Sequence, residues 1–194
     1  MQAKLQLGLL AFPDMEVLDF AGPFEVFSVA NQLSDYSLLD ILVIGLDKNL
    51  VTAKNGLKIM PDCSMDAISK LDILIIPGGD GSKALLTHEA GLTWIDSIIP
   101  QAQIVATVCS GARILAQLGY LRNQTFTTHA SVFDDVLSLE PTAQALKDAR
   151  FVDHGKIMTA AGVAAGIDLS LHIIERLFGT TLKEDTARYM EYPS

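Results

Sequence analysis

Cys109 closes the apolar run Ile104-Val105-Ala106-Thr107-Val108 and leads directly into Ser110-Gly111-Ala112-Arg113 and an Ala/Leu-rich stretch through Leu118. A strand that stops at a cysteine and turns at once into a helix has the layout of a nucleophile elbow, which pushes the side chain beyond the sheet edge. The helix behind it would present unpaired N–H groups and a partial positive charge. Both favour the thiolate, the nucleophilic form of a thiol whose free pKa is about 8.5. The same segment also reads as a buried structural cysteine at the end of a core strand, since free cysteine is among the most buried residue types.

Thiolate chemistry needs a carboxyl group to move protons and N–H groups to hold developing negative charge. Asp19, in Glu16-Val17-Leu18-Asp19-Phe20-Ala21-Gly22-Pro23, is an acid inside an apolar stretch. Burial there would raise its pKa and make it a proton donor. On local sequence alone it fits better as the N-cap of a helix opening at Gly22-Pro23. Gly78 and Gly79 follow the apolar run Ile73–Ile76 and Pro77, and would let backbone N–H groups approach a ligand. Gly-Gly after a strand is more often only a turn, and the spacing through Gly81 is no dinucleotide or P-loop fingerprint. The N–H of Ser110, next to the cysteine, is the natural second donor of an oxyanion hole. His129, in Phe126-Thr127-Thr128-His129-Ala130-Ser131, stands where a strand-like segment gives way to a helix. It could reach the site, or be a hydrogen-bonded turn residue. His88, His154, His172 and Cys63 read as structural or surface positions.

The elements needed to hold these residues are legible as alternating patterns. Strands are predicted near Leu5–Phe12, Leu38–Gly45, Ile73–Ile76, Ile104–Val108 and Ile157–Thr159. Helices are predicted near Pro23–Asn31, Gly91–Ile99, Ser110–Leu118, Ser131–Leu137, Val163–Phe178 and Leu182–Met190. Apolar runs of strand length alternating with helical periods predict an α/β fold around a mainly parallel sheet covered on both faces. Lys54-Asn55-Gly56 carries a turn signal, so Leu50–Pro61 is expected to form a small hairpin outside the main sheet. No linker, repeat or low-complexity run divides the chain, which predicts a single domain over residues 1–194. Ligands of open parallel sheets bind beyond the carboxyl ends of the strands, and Asp19, the Pro-Gly-Gly turn and Cys109 all fall there.

Composition excludes several classes. Lys and Arg number 14 against 23 Asp and Glu, for a formal charge of -9. No basic cluster could track a phosphate backbone, so nucleic acid is not an expected partner. The two cysteines have no closely spaced Cys or His companion, which argues against a disulfide framework or a zinc site and for a reducing compartment. The first apolar run is too short to span a membrane, and no signal-peptide pattern follows it. The expectation is a soluble cytoplasmic protein without a membrane association.

Taken jointly, LDFAGPFEVF, IIPGG, TVCSGARILAQLG, FTTHAS and AAGVAAGIDLSLHIIE resemble the ThiJ/PfpI superfamily of class-I glutamine-amidotransferase-like proteins over almost the entire chain. That resemblance implies a three-layer α/β/α sandwich with a flavodoxin-like sheet and a reactive Cys109. Within the superfamily the pattern is most similar to isocyanide (isonitrile) hydratases and to the amidase-like domains of AraC-type regulators. In the hydratases a cysteine in a VCTG-like elbow and an aspartate in an LDLTGP-like segment carry the reaction, positions held here by Cys109 and Asp19, with Ser110 replacing the threonine. PfpI-type proteases and glyoxalase-like enzymes place a Glu where Asp19 stands, and the proteases put a His after the nucleophile. The chain ends where hydratases usually continue, and no residues follow that would build the regulators' helix-turn-helix portion.

The resemblance implies cofactor-free hydration of a small isocyanide to an N-substituted formamide, with Cys109 as nucleophile, Asp19 as proton carrier, and Gly78, Gly79, Ser110 and His129 around the oxyanion or substrate. It implies no metal and no organic cofactor. Two other readings stand beside it: a small-molecule or oxidant sensor built on the same thiol, and glyoxalase- or deglycase-like action on reactive aldehydes. The superfamily also implies a homodimer, and a mean hydropathy of +0.33 agrees with some apolar surface being covered by a partner, although a large buried sheet would produce it too.

Overall fold

A computed structural model describes residues 3–193. Its strands are β1 (Leu5–Ala11), β2 (Leu39–Gly45), β3 (Val51–Thr52), β4 (Lys58–Ile59), β5 (Cys63–Ser64), β6 (Ile73–Ile76), β7 (Ile104–Val108), β8 (Thr125–Phe126), β9 (Gln144–Ala145), β10 (Phe151–Asp153) and β11 (Ile157–Ala160). Its α-helices are α1 (Val17–Leu33), α2 (Gly81–Leu85), α3 (Glu89–Ile98), α4 (Ala112–Gln117), α5 (Phe133–Leu139), α6 (Ala165–Phe178) and α7 (Thr180–Tyr189).

Seven strands form one sheet in the order β10-β11-β7-β6-β1-β2-β5, parallel throughout except for the antiparallel β10 edge. The five predicted runs are its centre, in the order β2-β1-β6-β7-β11, which is the flavodoxin-like doubly wound arrangement. Every residue of β6 and β7 is buried, because both faces of these strands are covered by helices. On one face α1, α6 and α7 pack on one another, and on the other α2, α3, α4 and α5 form a chain of contacts. The buried apolar side chains of both layers join in one core. The fold is thus an α/β/α sandwich, as the sequence predicts.

The hairpin of β3 and β4 lies outside the main sheet, with Asn55 and Gly56 at φ 64 and 96 in its turn. It is tied to the β1–α1 loop by Asp14 N–H to Thr52 O at 3.0 Å and Lys54 N–H to Met15 O at 2.9 Å. These bonds carry Lys54 to the end of the sheet where Asp19, Gly78 and Cys109 meet. The sequence reading missed the short β5 and β10 edges, the β8–β9 pair and α2, all too brief to show a period.

Candidate active site

Three chain segments leave the carboxyl ends of β1, β6 and β7 and converge. The order reversal between β1 and β6 opens a crevice there, because their following connections leave in opposite directions. Cys109 sits at the end of β7 with φ 56, left-handed for a residue that has a Cβ. Such a conformation costs about 1–3 kcal/mol and persists only when neighbours fix it. Here the Cys109 N–H donates to Ala161 O at 3.0 Å, and its carbonyl accepts from Thr128 Oγ1 at 2.6 Å. Cys109–Gly111 forms a 3-10 turn and α4 starts only at Ala112, later than the helix predicted from Ser110.

Asp19 lies in the first turn of α1 and is completely buried. It is not the N-cap that Gly22-Pro23 suggested: α1 begins at Val17, its N-cap position is Glu16, and Pro23 is inside the helix. Proline lacks an N–H, so the Asp19 carbonyl loses its i+4 helical donor. The side chain accepts from Gly78 N–H through Oδ2 at 3.0 Å, while Oδ1 has no hydrogen-bond partner among the described residues. Burial pushes this carboxyl from 3.8 up to about 7, outweighing the Gly78 N–H and the Cys109 thiol, which pull it down.

The thiol departs from the sequence expectation. Cys109 is only 6% exposed, and burial, reinforced by the charge of Asp19, pushes it from 9.0 up to about 11. The backbone N–H groups of Val163 and Ser110 favour its thiolate but do not overcome desolvation. A helix of six residues behind a 3-10 turn supplies too little field to do so. Near neutral pH the cysteine is therefore a thiol beside a carboxyl that is close to half ionised, and the two titrate as a coupled pair.

The Pro77-Gly78-Gly79 turn closely approaches Ser110, Asp19 and the β1–α1 loop. A Cβ on Gly78 would stand 2.5 Å from Ser110 N and 2.9 Å from Asp19 Oδ2. Gly79 has φ 105 and pairs with Met15 across an isolated bridge. Its N–H was expected to face developing charge, but donates instead to Ser110 Oγ at 2.8 Å. The Gly78 N–H is similarly engaged by Asp19. Both glycine donors are thus committed to shaping the site, which leaves Ser110 N–H and Val163 N–H near the sulfur. His129 lines the cleft; its Nδ1 accepts from Ser131 N–H at 3.2 Å and lies 2.8 Å from Ser131 Oγ.

Above Cys109 lies a cleft of about 270 Å³. Several residues in and around it were not among the site candidates read from the sequence. Arg113, 5% exposed, donates to Asp135 Oδ2 through Nε at 3.0 Å and through Nη2, and to Ser82 Oγ through Nη1 at 2.9 Å. Ser82 Oγ lies 2.7 Å from Gly79 O and 3.2 Å from Ser110 Oγ, so one network joins α2, α4, α5 and the glycine turn. Lys54 Nζ lies 3.6 Å from Glu16 and 3.2 Å from Asp80 across the mouth. Arg113 has the one legible signal: four residues after Cys109, it sits one helical turn further along. Lys54, Ser82 and Asp135 have none.

A doubly wound parallel sheet, with a cysteine on a left-handed strand-to-helix turn and a buried carboxyl beside it, defines a class of α/β/α proteins. The chain belongs to the DJ-1/PfpI family, whose description matches residues 7–176. It is 34% identical over 192 residues to isonitrile hydratase of Pseudomonas putida, covering 97% of this chain and 78% of that protein. It is 28% identical to the HTH-type transcriptional regulator GbdR of Pseudomonas aeruginosa, over 91% of this chain but only 47% of the regulator. The crystal structure of a ThiJ/PfpI family protein from Pseudomonas syringae superposes with a TM-score of 0.88 at 28% identity, covering 98% of this chain and 76% of that one. Drosophila melanogaster DJ-1beta shares the fold with a TM-score of 0.86 at 21% identity, covering 98% and 100%. Among the described residues, no helix is long and apolar enough to cross a membrane.

Proposed function

We propose that the protein is a cofactor-free isocyanide hydratase, acting in the cytoplasm as a single domain and as a homodimer. The observation that carries this reading is the buried pairing of Asp19 with Cys109, in a chain 34% identical to an isonitrile hydratase. The Cys109 thiol adds to the terminal carbon of R–N≡C: the S–C bond forms, and the thiol proton passes through Asp19 to that same carbon. The product is the thioimidate R–N=CH–S–Cys109. Water then adds across the C=N bond, hydroxyl to carbon and proton to nitrogen. The C–S bond breaks as the hydroxyl proton returns through Asp19 to sulfur, releasing R–NH–CHO. Nothing is oxidised or reduced, and the sum is isocyanide plus water. The Ser110 and Val163 N–H groups favour the developing thiolate.

The test is formamide production from a neutral aryl isocyanide, followed by proton NMR, for the wild type and for Cys109→Ala and Asp19→Asn. Product from the wild type and none from either variant supports the assignment; full turnover by Cys109→Ala would overturn it. The regulator relatives favour a second reading, ligand sensing without turnover, which specific ligand retention in the absence of product would support. Peroxide sensing fits poorly, because the thiolate is the readily oxidised form and burial disfavours it here. For the homodimer, α1 leaves the apolar side chains of Leu18, Phe24 and Leu33 exposed, and a second copy would cover part of them.

A further inference from the structure

The cleft above Cys109 is charged rather than greasy: only Val132 and Val163 bring larger apolar side chains to it. Its carboxylates are already engaged. Glu16 and Asp80 share the Lys54 ammonium, and Asp135 receives two hydrogen bonds from Arg113. Its donors are not used up. Lys83, exposed on α2 at the rim, makes no ion pair among the described residues. Arg113 carries five N–H groups, of which three are committed, and the remainder belong to a side chain that is 5% exposed and lines the cleft. Ser131 N–H donates to Nδ1 of His129, which leaves the proton of the neutral ring on Nε2, where no partner is present among the described residues.

We propose that this cleft recognises a substrate bearing a carboxylate, with Lys83, Arg113 and His129 receiving the anion and the reacting carbon directed at Cys109. Joined to the hydratase reading, on which the chemical class rests, the substrate is an isocyanide with a carboxylate on its R group. The Lys83 ammonium, the two spare N–H groups of Arg113 and His129 Nε2 suit an anion, and Glu16, Asp80 and Asp135, each held by Lys54 or Arg113, leave little for a cation. An apolar aryl group would leave the buried guanidinium donors unsatisfied, which costs about 1–3 kcal/mol per group.

Two alkylating agents of nearly equal size separate charge from shape. Iodoacetate and iodoacetamide both modify a thiolate by displacing iodide: the C–S bond forms as the C–I bond breaks. Their rates at Cys109 are measured side by side at a fixed mildly alkaline pH, with peptide mass spectrometry distinguishing Cys109 from Cys63. We expect iodoacetate to saturate and to react faster than iodoacetamide. Lys83→Gln should lower the iodoacetate-to-iodoacetamide ratio about fivefold, the effect of losing one partly exposed charge. An iodoacetate rate below that of iodoacetamide, linear in concentration and with a ratio insensitive to Lys83→Gln, would overturn the proposal. Turnover of isocyanoacetate against its methyl ester keeps the two readings apart. Iodoacetate preference without turnover of either compound retains the anion site and removes the hydratase reading. Faster hydration of the ester, with no iodoacetate preference, does the reverse.

Discussion

Asp19 is a buried acid whose ionisation opposes folding, and the opposition has a sign and a size. Its folded pKa of about 7 lies above the 3.8 of the exposed group. The folded chain therefore holds the proton more tightly than the unfolded one, so the carboxyl favours folding most below pH 3.8 and loses that contribution as pH rises through about 7. At 1.36 kcal/mol per pH unit the loss totals about 4 kcal/mol. Asp19→Asn removes the titration. The amide oxygen can still accept the Gly78 N–H, now 3.0 Å from Oδ2, while the amide NH₂ takes the position of the unpartnered oxygen. An unsatisfied buried amide costs about 1–3 kcal/mol at any pH.

The two effects give a crossing. We expect wild type to lose about 3 kcal/mol more stability than Asp19→Asn between pH 5 and pH 8, and the variant to be the more stable protein at the upper end. Cys109 contributes little over this range, because its thiol is protonated in the folded state and largely so in the unfolded one. Urea unfolding at both pH values, extrapolated linearly to water, reads the difference, and the surface carboxylates cancel between the two proteins. Parallel pH dependence within about 1 kcal/mol would refute the claim that burial holds Asp19 neutral.

Turnover should respond to pH through the same pair. The state that holds one proton between Asp19 and Cys109 is the active one, so kcat/KM should climb through about pH 7 and decline towards about pH 11; a steady fall from pH 6 to pH 8 would contradict it. Thr128→Val removes the 2.6 Å hydrogen bond to the Cys109 carbonyl and leaves a buried acceptor unpaired at a left-handed turn. We expect a loss of about 1–3 kcal/mol in urea unfolding together with a fall in kcat, since the sulfur would no longer be held in place.

The centre of the sheet was readable because strands covered on both faces must be apolar along their whole length, as Ile73–Ile76 and Ile104–Val108 are. The start of α1 was not, because Gly22-Pro23 is a strong local start signal and only tertiary packing explains a helix that begins at Val17, six residues before Pro23. The place of Cys109 at the end of β7 was readable from the apolar run that it closes. Its ionisation was not, because that depends on how deeply Asp19 and the 160s loop enclose it. The charged cleft lay further from reach. Arg113 gains its meaning from Asp135, Ser82 and Ser110 together, and Lys54 from a hairpin whose docking no local pattern encodes.

Under the proposed reaction, a neutral thiol beside a shared proton is an asset. A standing thiolate would attack any electrophile small enough to enter, and would be the form most open to oxidation. The Asp19–Cys109 pair becomes nucleophilic only when something accepts the proton that the sulfur gives up. The terminal carbon of an isocyanide accepts both the sulfur and the proton at one atom, so a single carboxyl beside the thiol can complete the addition. An aldehyde takes sulfur at carbon and the proton at oxygen, one bond further away. A single carboxyl held beside the thiol therefore favours the isocyanide reading over the aldehyde one on chemical as well as sequence grounds.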